Sequence, residues 1–221
     1  MYKKQMTFQR IVCLALLVAG ALVFIYSLGL MTGMYNGIYL TYRNGPRDGY
    51  QFEGTELYLD MQPFNQSLTM VGIGLILVSL FNFVMGTSSR RKYYIGNYVS
   101  IAVSTVCNVG ATFWAMTALL QYKHDYLTKI HWPEFRPEIG DEGTWCFLNP
   151  ETNVWEPSRM WELITSRGGV CSNSTFWFDV SYVVFGLLIL CTVLLIVNMV
   201  LKIIVMNSEK RLIGRRKDVR A

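Results

Sequence analysis

His124 and His131 are the two histidines of the chain, and Asp125, Glu134 and Glu138 surround them, a donor set of the type that holds zinc. Their spacing argues against that chemistry. Two histidines seven positions apart share a helical face only if a helix runs as far as Trp132-Pro133, and the stretch contains no HExxH pattern. The histidines therefore read as solvated or interfacial, and no metal site is expected. The five cysteines contain no CxxC pair, and Cys13, Cys107 and Cys191 lie in apolar runs where cysteine behaves as a small hydrophobe. Cys146 and Cys171 lie outside those runs. A disulfide between them would close a loop of about 25 residues and contribute about 3 kcal/mol. No Walker loop and no GxSxG turn is present, so neither an enzyme nor a cofactor is expected.

One further acid has a position that could matter. Asp179, in Phe176-Trp177-Phe178-Asp179-Val180, would suggest an ion site if it stood at the centre of a membrane. It falls within a turn of the start of an apolar run instead, so it reads as a helix N-terminal acid that favours the dipole.

The elements that must carry these residues follow from composition. Apolar residues make up 52% of the chain and charged residues 16%, against about 25% charged in a soluble domain. A hydrocarbon core of about 30 Å takes about 20 helical residues, and four runs qualify: 11–31, 68–85, 95–120 and 176–200. All six prolines lie outside them, as uninterrupted helices require. The first run continues through Leu22-Val23-Phe24-Ile25 beyond the small residues at 19–21, which marks an uncleaved span rather than a signal peptide. The fold expected is an all-α integral membrane protein, a bundle of four transmembrane helices.

Basic residues orient it. Segments 1–10, 86–94 and 201–221 hold 13 Lys or Arg in 40 positions, whereas the connecting segments 32–67 and 121–175 hold 7 in 91. By the positive-inside rule both termini and the short turn are cytoplasmic, and both long loops are outside. The expected location is the cell membrane, with the lipid bilayer as first partner.

The third run, 95–120, gathers its small and polar residues on one side. At about 100° per residue Asn97, Ser100, Ser104, Asn108, Ala111, Thr112 and Ala115 share a face, while Val99, Val103, Val106 and Phe113 lie elsewhere. Lipid gives no reason to align amides and hydroxyls, so this seam should pack against other helices, with Ala111 and Ala115 kept small by a neighbouring backbone. On the fourth run, Asn198 and Lys202 read as interfacial, with Lys202 snorkelling to the cytoplasmic surface.

The loops carry further expectations. Residues 38–42 and 55–59 alternate around Asn44-Gly45-Pro46 and Asp48-Gly49, consistent with a hairpin or an irregular loop. The second long loop holds Trp132, Trp145, Trp155 and Trp161, too much aromatic surface to leave in water, so it should fold as a small, partly β outer lid. Residues 144–148 and 153–155 flank Asn149-Pro150-Glu151-Thr152 as a hairpin, and a short helix is expected over 157–165. In the tail, Lys210, Arg211, Arg215, Arg216, Lys217 and Arg220 suit contact with anionic lipid, each worth about 1 kcal/mol, rather than nucleic acid. Together these features point to a membrane accessory or scaffold protein that engages a protein partner or its own copies through helices and outer loops. The alternative is a small transporter or channel subunit with the seam of the third helix lining the path.

Overall fold

A computed structural model describes residues 2–31, 57–87, 95–130, 134–140, 143–149, 152–157 and 175–218. Its helices are α1 (Tyr2–Gly29), α2 (Leu57–Thr87), α3 (Ile95–Thr128) and α4 (Phe176–Asp218), and its strands are β1 (Glu134–Arg136), β2 (Thr144–Leu148) and β3 (Trp155–Pro157). Each helix contains a stretch long and apolar enough to cross a membrane.

Every helix is longer than the apolar run that predicted it. Hydropathy marks only the lipid-immersed part, whereas backbone hydrogen bonding continues through polar residues. The largest differences are at α2, which begins at Leu57, and at α4, which carries helical backbone through most of the basic tail. Residues 57–59 are therefore helical, not the end of a strand, and the rest of that expected hairpin lies outside the described residues. Pro63 lies outside the run 68–85, as expected, yet stands inside α2 because the helix starts at Leu57. It occurs in the second turn, and the Ser67 hydroxyl donates to the Pro63 carbonyl at 2.8 Å.

The chain divides into two compact units. The first comprises residues 1–26, 68–116 and 181–221, so it holds a segment of each helix. Within it α1 and α2 approach to backbone contact. A Cβ added at Gly72 would lie 2.8 Å from the Phe24 amide nitrogen, and one at Gly20 would lie 3.1 Å from the Ile76 nitrogen. At Gly72 the approach requires glycine, and at Gly20 it is tight. Tyr26 and Phe185 meet edge to face, with ring centroids 6.3 Å apart.

The second unit comprises residues 27–67 and 117–180. Its sheet has the order β1-β2-β3, antiparallel throughout, with Glu134 opposite Cys146 and Leu148 opposite Trp155. In the β2–β3 hairpin β2 covers 144–148 as expected, while the second strand is Trp155–Pro157 rather than 153–155. Asn149 N donates to Val154 O at 3.0 Å, and Asn153 turns the chain at a φ of 55°, a conformation asparagine tolerates. β1 was not legible in the sequence, since three residues show no alternation. Pro157 closes β3 and does not start a helix, and 158–174 lie outside the described residues.

Elsewhere in this unit Phe64 packs on Tyr122, and Tyr126 packs on Phe178. The Trp177 ring covers Gly29 so closely that no Cβ would fit there. The expected Cys146–Cys171 bridge is not supported. Cys146 is a free thiol, buried in the middle of β2, and Cys171 lies outside the described residues.

Candidate functional site

Burial in the first unit is inverted relative to a soluble protein. On α3, Asn97, Ser100, Ser104, Asn108 and Ala115 are all buried, whereas Val106 and Phe113 are 71% and 75% exposed. The exposed faces of all four helices are likewise Leu, Ile, Val, Phe and Met. Such a surface is unstable in water and natural in hydrocarbon, where the polar residues are the ones that need protein neighbours.

The buried polar residues form a chain of hydrogen bonds that touches all four helices. Gln5 Nε2 of α1 donates to Asn198 Oδ1 of α4 at 3.0 Å, and also lies 3.4 Å from Gln9 Oε1. Gln9 Nε2 donates to Asn97 Oδ1 of α3 at 2.8 Å. One turn further along α3, the Ser100 hydroxyl is shared between the Asn97 carbonyl at 2.9 Å and Asn82 Oδ1 of α2 at 3.3 Å. Other hydroxyls close on their own helices: Ser104 donates to the Ser100 carbonyl, Ser79 to Leu75 and Thr192 to Leu188.

Half of this network was invisible to a hydropathy reading. Gln5 and Gln9 fall in the decapeptide expected to be a cytoplasmic extension, yet α1 begins at Tyr2 and buries both. Their i, i+4 spacing, which sets both amides on one face, was the available signal. Asn198 and Lys202, also i, i+4, were expected at the interface. Both are buried, Asn198 fully and Lys202 to 6% exposure, with the Lys202 ammonium 5.3 Å from the centre of the Tyr98 ring. Tyr98 itself donates to the Met206 sulfur at 2.6 Å.

The network is not saturated. Asn82 Nδ2, Asn97 Nδ2 and Asn198 Nδ2 have no hydrogen-bond partner among the described residues, nor do either amide atom of Asn108 or the Thr112 hydroxyl. A buried polar atom left without a partner costs about 1 to 3 kcal/mol, so these groups are the functionally suggestive part of the seam. Asn97 to Thr112 covers about 22 Å along the helix, most of a bilayer's apolar thickness.

The seam's alanines are not equivalent. Ala115 is fully buried, but Ala111 lines an open groove of about 340 Å³ between α2 and α3, shared with Gly74, Gly110, Cys107 and Trp114. A Cβ at Gly74 or Gly110 would meet no atom within 4 Å. The expectation that a backbone presses on Ala111 is thus not met.

The other residues weighed for chemistry are dispersed. His124 is exposed on α3, His131 lies outside the described residues, and no three metal-binding side chains cluster among those described. Asp179 lies in the first turn of α4, where it accepts from the Thr175 hydroxyl at 2.7 Å and pairs with Lys123 of α3 at 2.7 Å. On the sheet, the Arg136 guanidinium stacks 3.7 Å from the Trp155 ring and pairs with Glu134 and Glu138. Burial pushes the Cys146 thiol above its usual pKa, with nearby Arg136 lowering it and Glu138 raising it. Lys210, Arg211, Arg215, Arg216 and Lys217 lie along the helical backbone of α4, and Arg220 lies outside the described residues. No family model, curated protein or solved structure matches this chain.

Proposed function

We propose that this chain is a multi-pass membrane accessory or scaffold protein of the cell membrane that works through helix–helix and outer-loop contacts. Both termini would be cytoplasmic, and the basic tail would lie on anionic lipid. The observation that carries this reading is the amide chain from Asn198 through Gln5, Gln9 and Asn97 to Ser100 and Asn82, which joins all four helices within one molecule. Polar residues committed to each other in this way hold a bundle together and leave its apolar outer faces for lipid, a partner protein or a second copy.

Topology is tested by labelling. A cysteine at Ser88 should react with an impermeant maleimide only after permeabilisation, and one at Thr152 in intact cells; the reverse pattern refutes the orientation. Co-purification from native membranes then tests the partner.

A second reading, a transporter or channel subunit, is favoured by one observation: Asn108 is buried within its span with both amide atoms unpartnered. A flux in reconstituted vesicles that disappears in Asn108→Ala would make this the better reading.

A further inference from the structure

The amides at one end of the network share an asymmetry. The carbonyl oxygens of Asn82, Asn97 and Asn198 each accept a hydrogen bond, and the amino groups of the same three residues donate none. Lys202 adds three more donors. It follows Asn198 by one turn on the same face of α4, is 6% exposed, and has no carboxylate or carbonyl partner among the described residues; its ammonium lies over the face of Tyr98. Lys202 brings a cationic side chain, largely covered by protein, to the end of the network that holds the unpartnered amide protons of Asn97 and Asn198, and an oxyanion is the ligand that pairs with donors of both kinds.

Two further features have the same sign. Asn97 is the third residue of α3 and Gln5 the fourth of α1, so two helix N-termini, each with its positive dipole end, lie beside the donors. The depth suits a phosphate group. In the membrane reading Lys202 stands two residues beyond the apolar run 176–200, on the side of the basic tail, where hydrocarbon gives way to headgroups.

We infer that Lys202 and Asn198 of α4, with Asn97 of α3, form a binding site for a phosphate oxyanion, supplied either by the headgroup of an anionic phospholipid or by free phosphate. Lys202 provides the charge, and Asn198 and Asn97 provide neutral donors that fix orientation. The inference rests on the membrane reading above, on which the depth argument depends; the unpartnered amide donors do not depend on it.

The test uses the full chain purified in neutral detergent. Thermal unfolding is followed while titrating dihexanoyl phosphatidylglycerol, dihexanoyl phosphatidylcholine or inorganic phosphate. A saturable rise in Tm with phosphatidylglycerol, exceeding that with phosphatidylcholine, identifies the lipid source; a rise with inorganic phosphate identifies the free anion. Lys202→Met should weaken the effective probe by about tenfold or more, the worth of one charge-assisted hydrogen bond. Lys202→Arg should retain the response, and Lys210→Met, which removes the same charge from the tail, should leave it intact. Without a probe, Lys202→Met should be at least as stable as the wild type, because an apolar side chain of similar length replaces a largely covered cationic one. Should that variant not fold, Asn198→Leu takes its place, with the same loss expected. The site is refuted if no probe shifts the wild type, or if the shift persists in Lys202→Met and Asn198→Leu. Release of the protein from membranes by alkaline carbonate would instead refute the membrane reading, independently of the titration.

Discussion

Replacing Gln9 by Leu should destabilise the protein far more than the loss of one polar side chain on a membrane helix ordinarily does. Gln9 is 1% exposed, donates to Asn97 Oδ1 at 2.8 Å, and accepts the longer bond from Gln5. Interhelical hydrogen bonds in membranes average about 0.6 kcal/mol and reach about 1.7, so the Gln9–Asn97 bond, which joins α1 to α3, contributes about 0.6 to 1.7 kcal/mol, while the longer Gln5–Gln9 bond lies within α1. The substitution also leaves the whole Asn97 amide without a partner, since its Nδ2 has none already, which adds about 1 to 3 kcal/mol. A total of about 2 to 5 kcal/mol is expected. Asn97→Leu alone should cost a similar amount by stranding Gln9, whereas the double variant, with apolar groups on both sides, should recover much of the loss. The assay is a double-mutant cycle of reversible unfolding in mixed micelles, with coupling expected well above 1 kcal/mol. Additive losses, with coupling below about 0.3 kcal/mol, would show that the two amides do not act on each other.

Other outcomes follow from the same packing. Ala115→Leu should cost about 1 to 3 kcal/mol by overpacking a fully buried site, while Ala111→Leu, facing the open groove, should fall within about 0.5 kcal/mol of wild type; thermal unfolding of both variants would check this. Gly72→Ala should lower Tm, because its Cβ would meet the Phe24 backbone at 2.8 Å, but Gly110→Ala should not, since nothing lies within 4 Å and alanine favours the helix. The thiolate is the species that alkylates, so a Cys146 thiol raised by burial should react with iodoacetamide much more slowly at pH 8 than after denaturation. Its rate should keep rising with pH beyond the usual thiol range, and quantitative labelling of folded protein at pH 7 would contradict its burial.

The features legible in the sequence are those that leave a periodic or compositional mark. Four apolar runs gave four helices, and the alignment of Asn97, Ser100, Ser104 and Asn108 gave the buried face of α3, because helical periodicity and the scarcity of amides in lipid are both local facts. Gln5 and Gln9 escaped because a polar decapeptide looks like an extension until its helix is known to continue past the hydropathy boundary. Lys202 escaped for a related reason: the sequence places it near an interface but cannot say whether its stem points outward or against Tyr98. Ala111 and Ala115 differ by one helical turn and are alike in sequence; only the position of α2 opens a groove at one and not the other. β1 depends wholly on pairing with β2, a tertiary event with no signature in three residues.

The central claim is that the polar seam of α3 faces the molecule's own helices and that its apolar face meets lipid. Spin labels placed singly along 97–113 in reconstituted bilayers test it directly, through relaxation by oxygen, which concentrates in hydrocarbon, and by a water-soluble nickel chelate. Labels at Val99, Val103, Val106 and Phe113 should be accessible to oxygen and not to nickel, and labels at Asn97, Ser104 and Asn108 should be shielded from both. Nickel access at Ser104 and Asn108 would place water along the seam and contradict the claim.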